Sequence, residues 1–331
     1  MPRHRERTRH LASPENGLVH VLITGGRGFL GARLARRLRE AGHRVTLFDT
    51  HQAQARADVS GMETVTGDIC DFHAVLDAVD AASPDVIVHA AAIVGGVLSM
   101  EQPAATVHVN VAGTVHVLEA MRLRGVPRAF MISSEECYGS FGYEPADEAH
   151  PLVPATPYGI TKVAAEWYTG YYRRRFGVEM VNVRTSWVYG AGMPRLRFET
   201  KLILDALTTG VALSETGADH RIDYTHVDDF VDGLLRLIEA PRLDHQAYNI
   251  SSGRAVRLGD LAELIAANIP GARIEVGNGL LEFAPGFPAP VKGALSIERA
   301  RREVGYQPRI SLEEGMRRYV DDLRRASSVV S

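Results

Sequence analysis

The segment PYGITK sets Tyr158 and Lys162 four residues apart, on one face of what reads as a helix. A free phenol has a pKa of about 10 and is a poor base at neutral pH. An ammonium held beside it favours phenolate, which makes the pair a general base for removing a hydroxyl proton. The spacing alone recurs by chance on amphipathic helices, so its weight comes from its surroundings. Upstream, SSEECYG follows the apolar run RAFMI and so ends a buried strand. It offers the hydroxyl of Ser134 and two adjacent carboxylates, Glu135 and Glu136, which are either an acid–base set or solvated loop charges.

Such groups need a frame. From His20 onward short apolar runs (VHVLI, RVTLFD, DVIVH, RAFMI, VEMVNVRT) alternate with longer amphipathic segments. This alternation predicts an α/β fold, a Rossmann-type doubly wound parallel sheet covered by helices on both faces. Past Arg184 it weakens and proline and glycine become frequent, as in EFAPGFPAPVKG. The expected organisation is a leader over 1–17 and a dinucleotide-binding domain over 18–185 with a return near 226–250. A smaller C-terminal substrate-binding lobe is expected over 186–225 and 251–331, above the carboxyl ends of the sheet.

TGGRGFLG joins the first strand to the first helix. Gly25 permits the tight turn, Gly28 lets a pyrophosphate approach the backbone, and Gly31 lets helix and strand pack closely. The free N–H groups of the helix start, at Phe29, Leu30 and Gly31, favour the phosphates. Asp49 ends the second strand about twenty residues beyond the loop, where a carboxylate receives the ribose hydroxyls of NAD and repels the extra phosphate of NADP. Arg27 would welcome that phosphate, but Asp49 occupies the geometrically fixed position, so NAD is the expected cofactor. Asp68, with Ile69 beside it, follows the third strand as a partner for the adenine. HAAA ends the fourth strand, with Ala90 and Ala91 small enough for the backbone to touch the cofactor; His89 reads as a structural hydrogen-bonder.

The bulk properties agree. The chain has 331 residues, 45% hydrophobic and 23% charged, which fits an ordinary globular enzyme of one large domain and a smaller lobe. A net charge of −3 argues against nucleic acid as the main partner. Two cysteines, Cys70 and Cys137, form neither a disulfide framework nor a zinc cluster, so no metal is expected and a cytoplasmic location is the simple reading. No apolar stretch is long enough to span a bilayer.

Taken in order, TGxxGxxG, Asp49, GDI, HAAA, NVAGT, Ser134 four residues before Tyr138, and YxxxK resemble the extended short-chain dehydrogenase/reductases. Within them the chain is similar to the nucleotide-sugar epimerase/dehydratase group, from Val19 to about Arg325. The resemblance implies that Tyr158 is the catalytic base and that Lys162 holds the nicotinamide ribose, both lying against NAD. It implies that Ser134 hydrogen-bonds the reacting oxygen and that Asn110 stands near the relay. Ser99, Ser134 and Arg221 become the expected substrate contacts, and helices around Val111–Leu123 and Ala164–Arg174 the expected four-helix homodimer interface. Trp167 and Tyr171 would lie in that interface or in the core.

The family implies three reactions that begin alike, with oxidation of a sugar C4 hydroxyl. The favoured one is epimerisation of a nucleotide sugar through a transient 4-keto intermediate. A 4,6-dehydratase or decarboxylase would use Glu136, the glutamate that matches those enzymes; Glu135 stands where dehydratases carry a shorter aspartate. Other departures are Trp187 in place of an asparagine, Ala284 in place of an arginine, and Val97 at a frequent arginine. They keep open a net dehydrogenase acting on a sugar or sugar acid without a nucleotide, with Arg195, Arg197 and Lys201 as possible compensating cations. A non-catalytic dinucleotide sensor is the remaining alternative, against which the intact Ser134, Tyr158 and Lys162 argue.

Overall fold

The computed structural model describes residues 17–328 except 52–54, 56, 195 and 285, so most of the expected leader lies outside the described residues. The first six strands are β1 (His20–Thr24), β2 (Arg44–Asp49), β3 (Glu63–Thr66), β4 (Val86–His89), β5 (Arg128–Ile132) and β6 (Glu179–Arg184). In the lobe β7 (Trp187–Tyr189), β8 (Val211–Ser214) and β9 (Arg221–His226) follow. The chain then returns as β10 (Ala247–Asn249) to complete a seven-stranded sheet in the order β10-β6-β5-β4-β1-β2-β3, every neighbouring pair parallel.

Alternate residues of these strands feed two apolar layers, as the pleat requires. Val21 and Ile23 enter one and Leu22 the other; Val86 and Val88 face away from Ile87 in the same way. Helix α1 (Phe29–Glu40) covers the first layer. Helix α2 (Phe72–Ala82) covers the second. After β4 come α3 (Gly96–Glu101), α4 (Pro103–Val107), a π-helical turn over His108–Ala112 and α5 (Gly113–Arg124). The π turn interrupts the helical run at Asn110, the kind of bulge that frequents functional sites. Helix α6 (Pro157–Phe176) starts with Thr156 as cap and proline at its first position, and stops at Gly177 in the left-handed region.

The expected lobe takes in β7–β9, β11 (Ala255–Arg257), β12 (Arg273–Val276) and helices α7 (Phe198–Thr209), α9 (Leu258–Ala267), α10 (Glu298–Val304) and α11 (Leu312–Ser328), with a hairpin of β13 (Glu282–Ala284) and β14 (Phe287–Pro288), while α8 (Val227–Glu239) falls in the expected return. Not all of these belong to it. Phe230, Val231 and Leu234 of α8 join the core under the main sheet, as do Ala300 of α10 and Tyr306. The expected boundaries put 251–331 wholly in the lobe; the apolar faces of 297–306 pack instead on the larger domain. No helix among the described residues is long and apolar enough to cross a membrane.

Candidate active site

The carboxyl end of β1 turns at Gly25, whose φ of +68° and closeness to Ala91 leave no room for a side chain: a Cβ would lie 2.7 Å from the Ala91 nitrogen. At Gly31 a Cβ would lie 2.2 Å from the Gly25 carbonyl oxygen, so helix and loop touch backbone to backbone. Helix α1 begins after Gly28 with no side chain capping it, which leaves the N–H groups of its first turn for an anion. Asp49 accepts the backbone N–H of Arg27 on Oδ2 and that of Thr50 on Oδ1, each at 2.9 Å. One lone pair on each oxygen remains for hydroxyl donors. An uncapped helix start, a cradle that a Cβ would fill and an acidic strand end fit the pyrophosphate and ribose of a dinucleotide. Asp68 is exposed and accepts from Cys70 N at 2.9 Å, while Ile69 is buried against the second layer.

His89 is fully engaged. Thr114 Oγ1 donates to the Asn110 carbonyl, so it must accept from His89 Nε2 at 3.0 Å; Nδ1 then accepts from Thr24 Oγ1 at 2.7 Å. Burial pushes the imidazole down to about 3, with the Lys162 charge adding to the effect, so the ring is neutral and structural. Asn110 clamps the loop after β4 by accepting from Ile93 N and donating to Ile93 O, both at 2.8 Å. Its amide also reaches Thr161 Oγ1 on α6 at 3.1 Å.

Tyr158 and Lys162 are both buried in the first turns of α6. Lys162 Nζ donates to the Ile132 carbonyl at 2.8 Å and lies 5.7 Å from the centre of the Tyr158 ring. Burial lowers its pKa to about 8. Farther along, Glu166 is locked between Arg184, which meets both its oxygens at 3.0 and 2.6 Å, and Ser133, which donates at 2.5 Å. This buried ion pair staples α6 to the ends of β5 and β6. Cys137 sits against it, its thiol pushed up to about 12 by burial, and is no nucleophile. The pair of Glu166 and Arg184 gave no sequence signal, since each looks like an ordinary surface charge.

Ser134 caps the short 3₁₀ turn Glu135–Cys137, accepting from Glu136 N at 3.2 Å. The two glutamates are not loop charges. Both are buried, and the Lys292 ammonium bridges them, 3.2 Å from Glu135 Oε1 and in direct contact with Glu136 Oε1. Glu136 Oε2 accepts from Thr156 Oγ1 at 3.2 Å. Burial pushes the Glu135 carboxyl up to about 7, Lys292 pulling it back. Lys292, from the proline-rich late segment, was not read as a site residue at all. A cleft lined by Phe141, Tyr143, Asp219, Arg221, Leu280 and Lys292 opens beside the cluster.

Two expected substrate contacts stand differently. Ser99 is fully buried; its hydroxyl donates to Gly96 O at 2.7 Å and accepts from Tyr158 N at 3.0 Å, which seats the first turn of α6. Arg221 lines the cleft but is ion-paired with Glu144. Of the cations near Trp187, Arg197 stacks on its ring at 5.3 Å and donates to Val188 O, and Lys201 pairs with Asp205. Arg195 lies outside the described residues. Ala284 belongs to the late hairpin, whose Phe283 covers Gly96. Trp167 and Tyr171 are 68% and 48% exposed, so neither is a core residue. No group of three or more metal-ligating side chains occurs among the described residues.

The model of the NAD dependent epimerase/dehydratase family matches residues 21–251. The chain is 32% identical to a UDP-glucose 4-epimerase of Mycolicibacterium smegmatis, over 93% of this chain and all of that protein. It is 30% identical to a dTDP-glucose 4,6-dehydratase of Streptomyces niveus, over 90% of each chain. Its structure matches that of MoeE5 in complex with UDP-glucuronic acid and NAD with a TM-score of 0.80 at 26% identity, covering 93% of this chain and 99% of that one.

Proposed function

The chain belongs to the NAD-dependent epimerase/dehydratase family, and we propose that within it the protein inverts C4 of a nucleotide-linked sugar through a transient 4-keto sugar. Tyr158 takes the proton of the C4 hydroxyl and Ser134 holds the reacting oxygen. Lys162 supports the phenolate with its charge and reaches toward the nicotinamide ribose. NAD, when bound, supplies the hydride acceptor and donor; Gly25, Gly28, Phe29, Leu30 and Gly31 would hold its pyrophosphate, Asp49 its ribose, and Asp68 with Ile69 its adenine. Ala90 and Ala91 would flank the nicotinamide half, and Asn110 keeps that loop in place.

The observation that carries epimerisation over elimination is the state of Glu135 and Glu136. A dehydratase of this family would use the glutamate at position 136 to take the C5 proton, and here Glu136 is held on both oxygens, by Lys292 and by Thr156, while Glu135 meets the same ammonium through Oε1 alone and keeps Oε2 unpaired. A panel of UDP-, GDP-, dTDP- and CDP-sugars tests the reading. A C4 epimer supports it; a 4-keto-6-deoxy product or carbon dioxide release moves the chain to elimination or decarboxylation.

One observation favours a second reading, net oxidation of a sugar or sugar acid without a nucleotide. Among the described residues, the cations expected to serve a pyrophosphate, Arg197, Lys201 and Arg221, are each engaged by the protein itself. Stoichiometric NADH from free sugars or sugar acids would support it. We also propose a homodimer through α5 and α6, on the exposed Trp167 and Tyr171, and a cytoplasmic location, which suits the two unpaired cysteines.

A further inference from the structure

The two buried glutamates leave a question that the reaction does not answer: why a lysine from the far end of the chain is brought to them. Residues 289–296 form a strap across the mouth of the larger domain. Phe141 N donates to Val291 O at 2.8 Å and Val291 N to Ser140 Oγ at 3.1 Å; Ala294 N donates to Glu144 Oε1 at 3.0 Å and Leu295 N to Asp223 Oδ2 at 3.2 Å. Fixed on both sides, the strap drives Lys292 inward, where its side chain is 4% exposed.

From there a continuous chain of contacts runs to the catalytic helix. Lys292 Nζ meets Glu136 Oε1; Glu136 Oε2 accepts from Thr156 Oγ1 at 3.2 Å; Thr156 Oγ1 accepts from Gly159 N at 3.1 Å as the cap of α6. The backbone adds a second contact: a Cβ at Gly159 would lie 2.5 Å from the Glu136 carbonyl oxygen, so the first turn of α6 seats directly on Glu136. Two carboxylates side by side in a dry site repel unless a cation holds them. Around them stand Asp223, a third buried carboxylate, and His220, whose Nδ1 is buried without a partner and whose imidazole is held neutral by burial and the Lys292 charge. Lys292 is therefore the cation that fixes the geometry of the cluster.

We propose that Lys292 is a positioning residue: through Glu136 and Thr156 it ties the lobe's strap to the first turn of the helix bearing Tyr158 and Lys162, and so sets where the phenol stands. This rests on Tyr158 being the base. It gives the strap a role in turnover that is exerted through the start of α6.

Hydrogen exchange by mass spectrometry on the NAD-loaded full-length protein tests the link without a substrate. In Lys292→Met the amides of residues 158–161 exchange at least about fivefold faster, while those of α1 are unchanged. Steady-state kinetics with UDP-glucose as the probe then show kcat lowered at least about tenfold with KM within about twofold, and Lys292→Arg recovers most of both losses. In the cycle with Thr156→Val, the double variant is no slower than the worse single one. Should Lys292→Met not fold, the triple variant Lys292→Met/Glu135→Gln/Glu136→Gln, with no buried charge left over, carries the same test. Unchanged exchange at the α6 start overturns the proposal, as does a raised KM with kcat intact or additive losses in the cycle. A wild type that turns over no sugar of the panel overturns the proposed function instead, and the exchange result still decides the linkage.

Discussion

The Lys162 ammonium lies 5.7 Å from the centre of the Tyr158 ring and is tethered to the Ile132 carbonyl at 2.8 Å. The strand end thus aims a cation at the phenol one helical turn earlier. Because burial lowers the Lys162 pKa to about 8, that cation is lost as pH rises through 8. The expected outcome is an alkaline limb in kcat near pH 8 that Lys162→Arg removes, since a guanidinium stays charged. Tyr158→Phe lowers kcat by about 10²–10⁴-fold at every pH. For stability the sign is opposite: between about pH 8 and 10.5 the unfolded chain binds the extra proton, so this group's penalty is relieved as pH rises.

Gly31→Ala places a methyl 2.2 Å from the Gly25 carbonyl oxygen. Neither atom is the free end of a side chain, so the loop itself must shift. We expect a loss of about 1–3 kcal/mol in stability and at least about tenfold weaker NAD binding, measured by denaturant unfolding and by titration of cofactor fluorescence. Unimpaired binding would show that the cofactor does not use this loop.

Glu135 carries a stability cost that switches on with pH. Its folded pKa of about 7 lies above the ordinary 4.5, so its relative stability is complete below 4.5 and is lost as pH rises through 7. Glu135→Gln removes this dependence. Thermal unfolding at pH 5 and pH 8 should give wild type a drop, relative to the variant, of about 1–3 kcal/mol. A gap that does not change with pH would mean that Glu135 ionises normally.

Trp167→Glu with Tyr171→Glu puts two charges on the exposed face of α6, where neither residue is part of the buried core although the Tyr171 ring packs edge-on against Tyr172. Light scattering should find a monomer in place of a dimer, with the far-ultraviolet spectrum unchanged. A dimer that survives both changes would place the interface elsewhere.

Much of the architecture was legible because its signals are local. Apolar runs of four to six residues, glycines at a strand-to-helix turn and a Thr-Pro helix start each act over a few residues, and β1, α1, β2 and the start of α6 follow from them. Lys292 was illegible for the opposite reason. It sits in a stretch without periodicity, and its meaning comes from residues 156 positions away in the chain. Glu166 and Arg184 were hidden likewise, because a lone charge on a helix or at the end of a strand ordinarily faces solvent. Ser99 is a substrate contact only on the resemblance; in the fold its hydroxyl is already engaged by the Tyr158 N–H and the Gly96 carbonyl, a long-range seating that no local pattern announces.

The chain returns to the main sheet repeatedly: β10 completes it after β7–β9 have formed, α8 packs beneath it, and Ala300 and Tyr306 reach it once more. The lobe is consequently no cassette. Recruiting a new specificity from a relative by one splice near residue 186 would strip the outermost strand and part of the floor under it. A working chimaera must exchange several separate stretches and leave the returning ones in place.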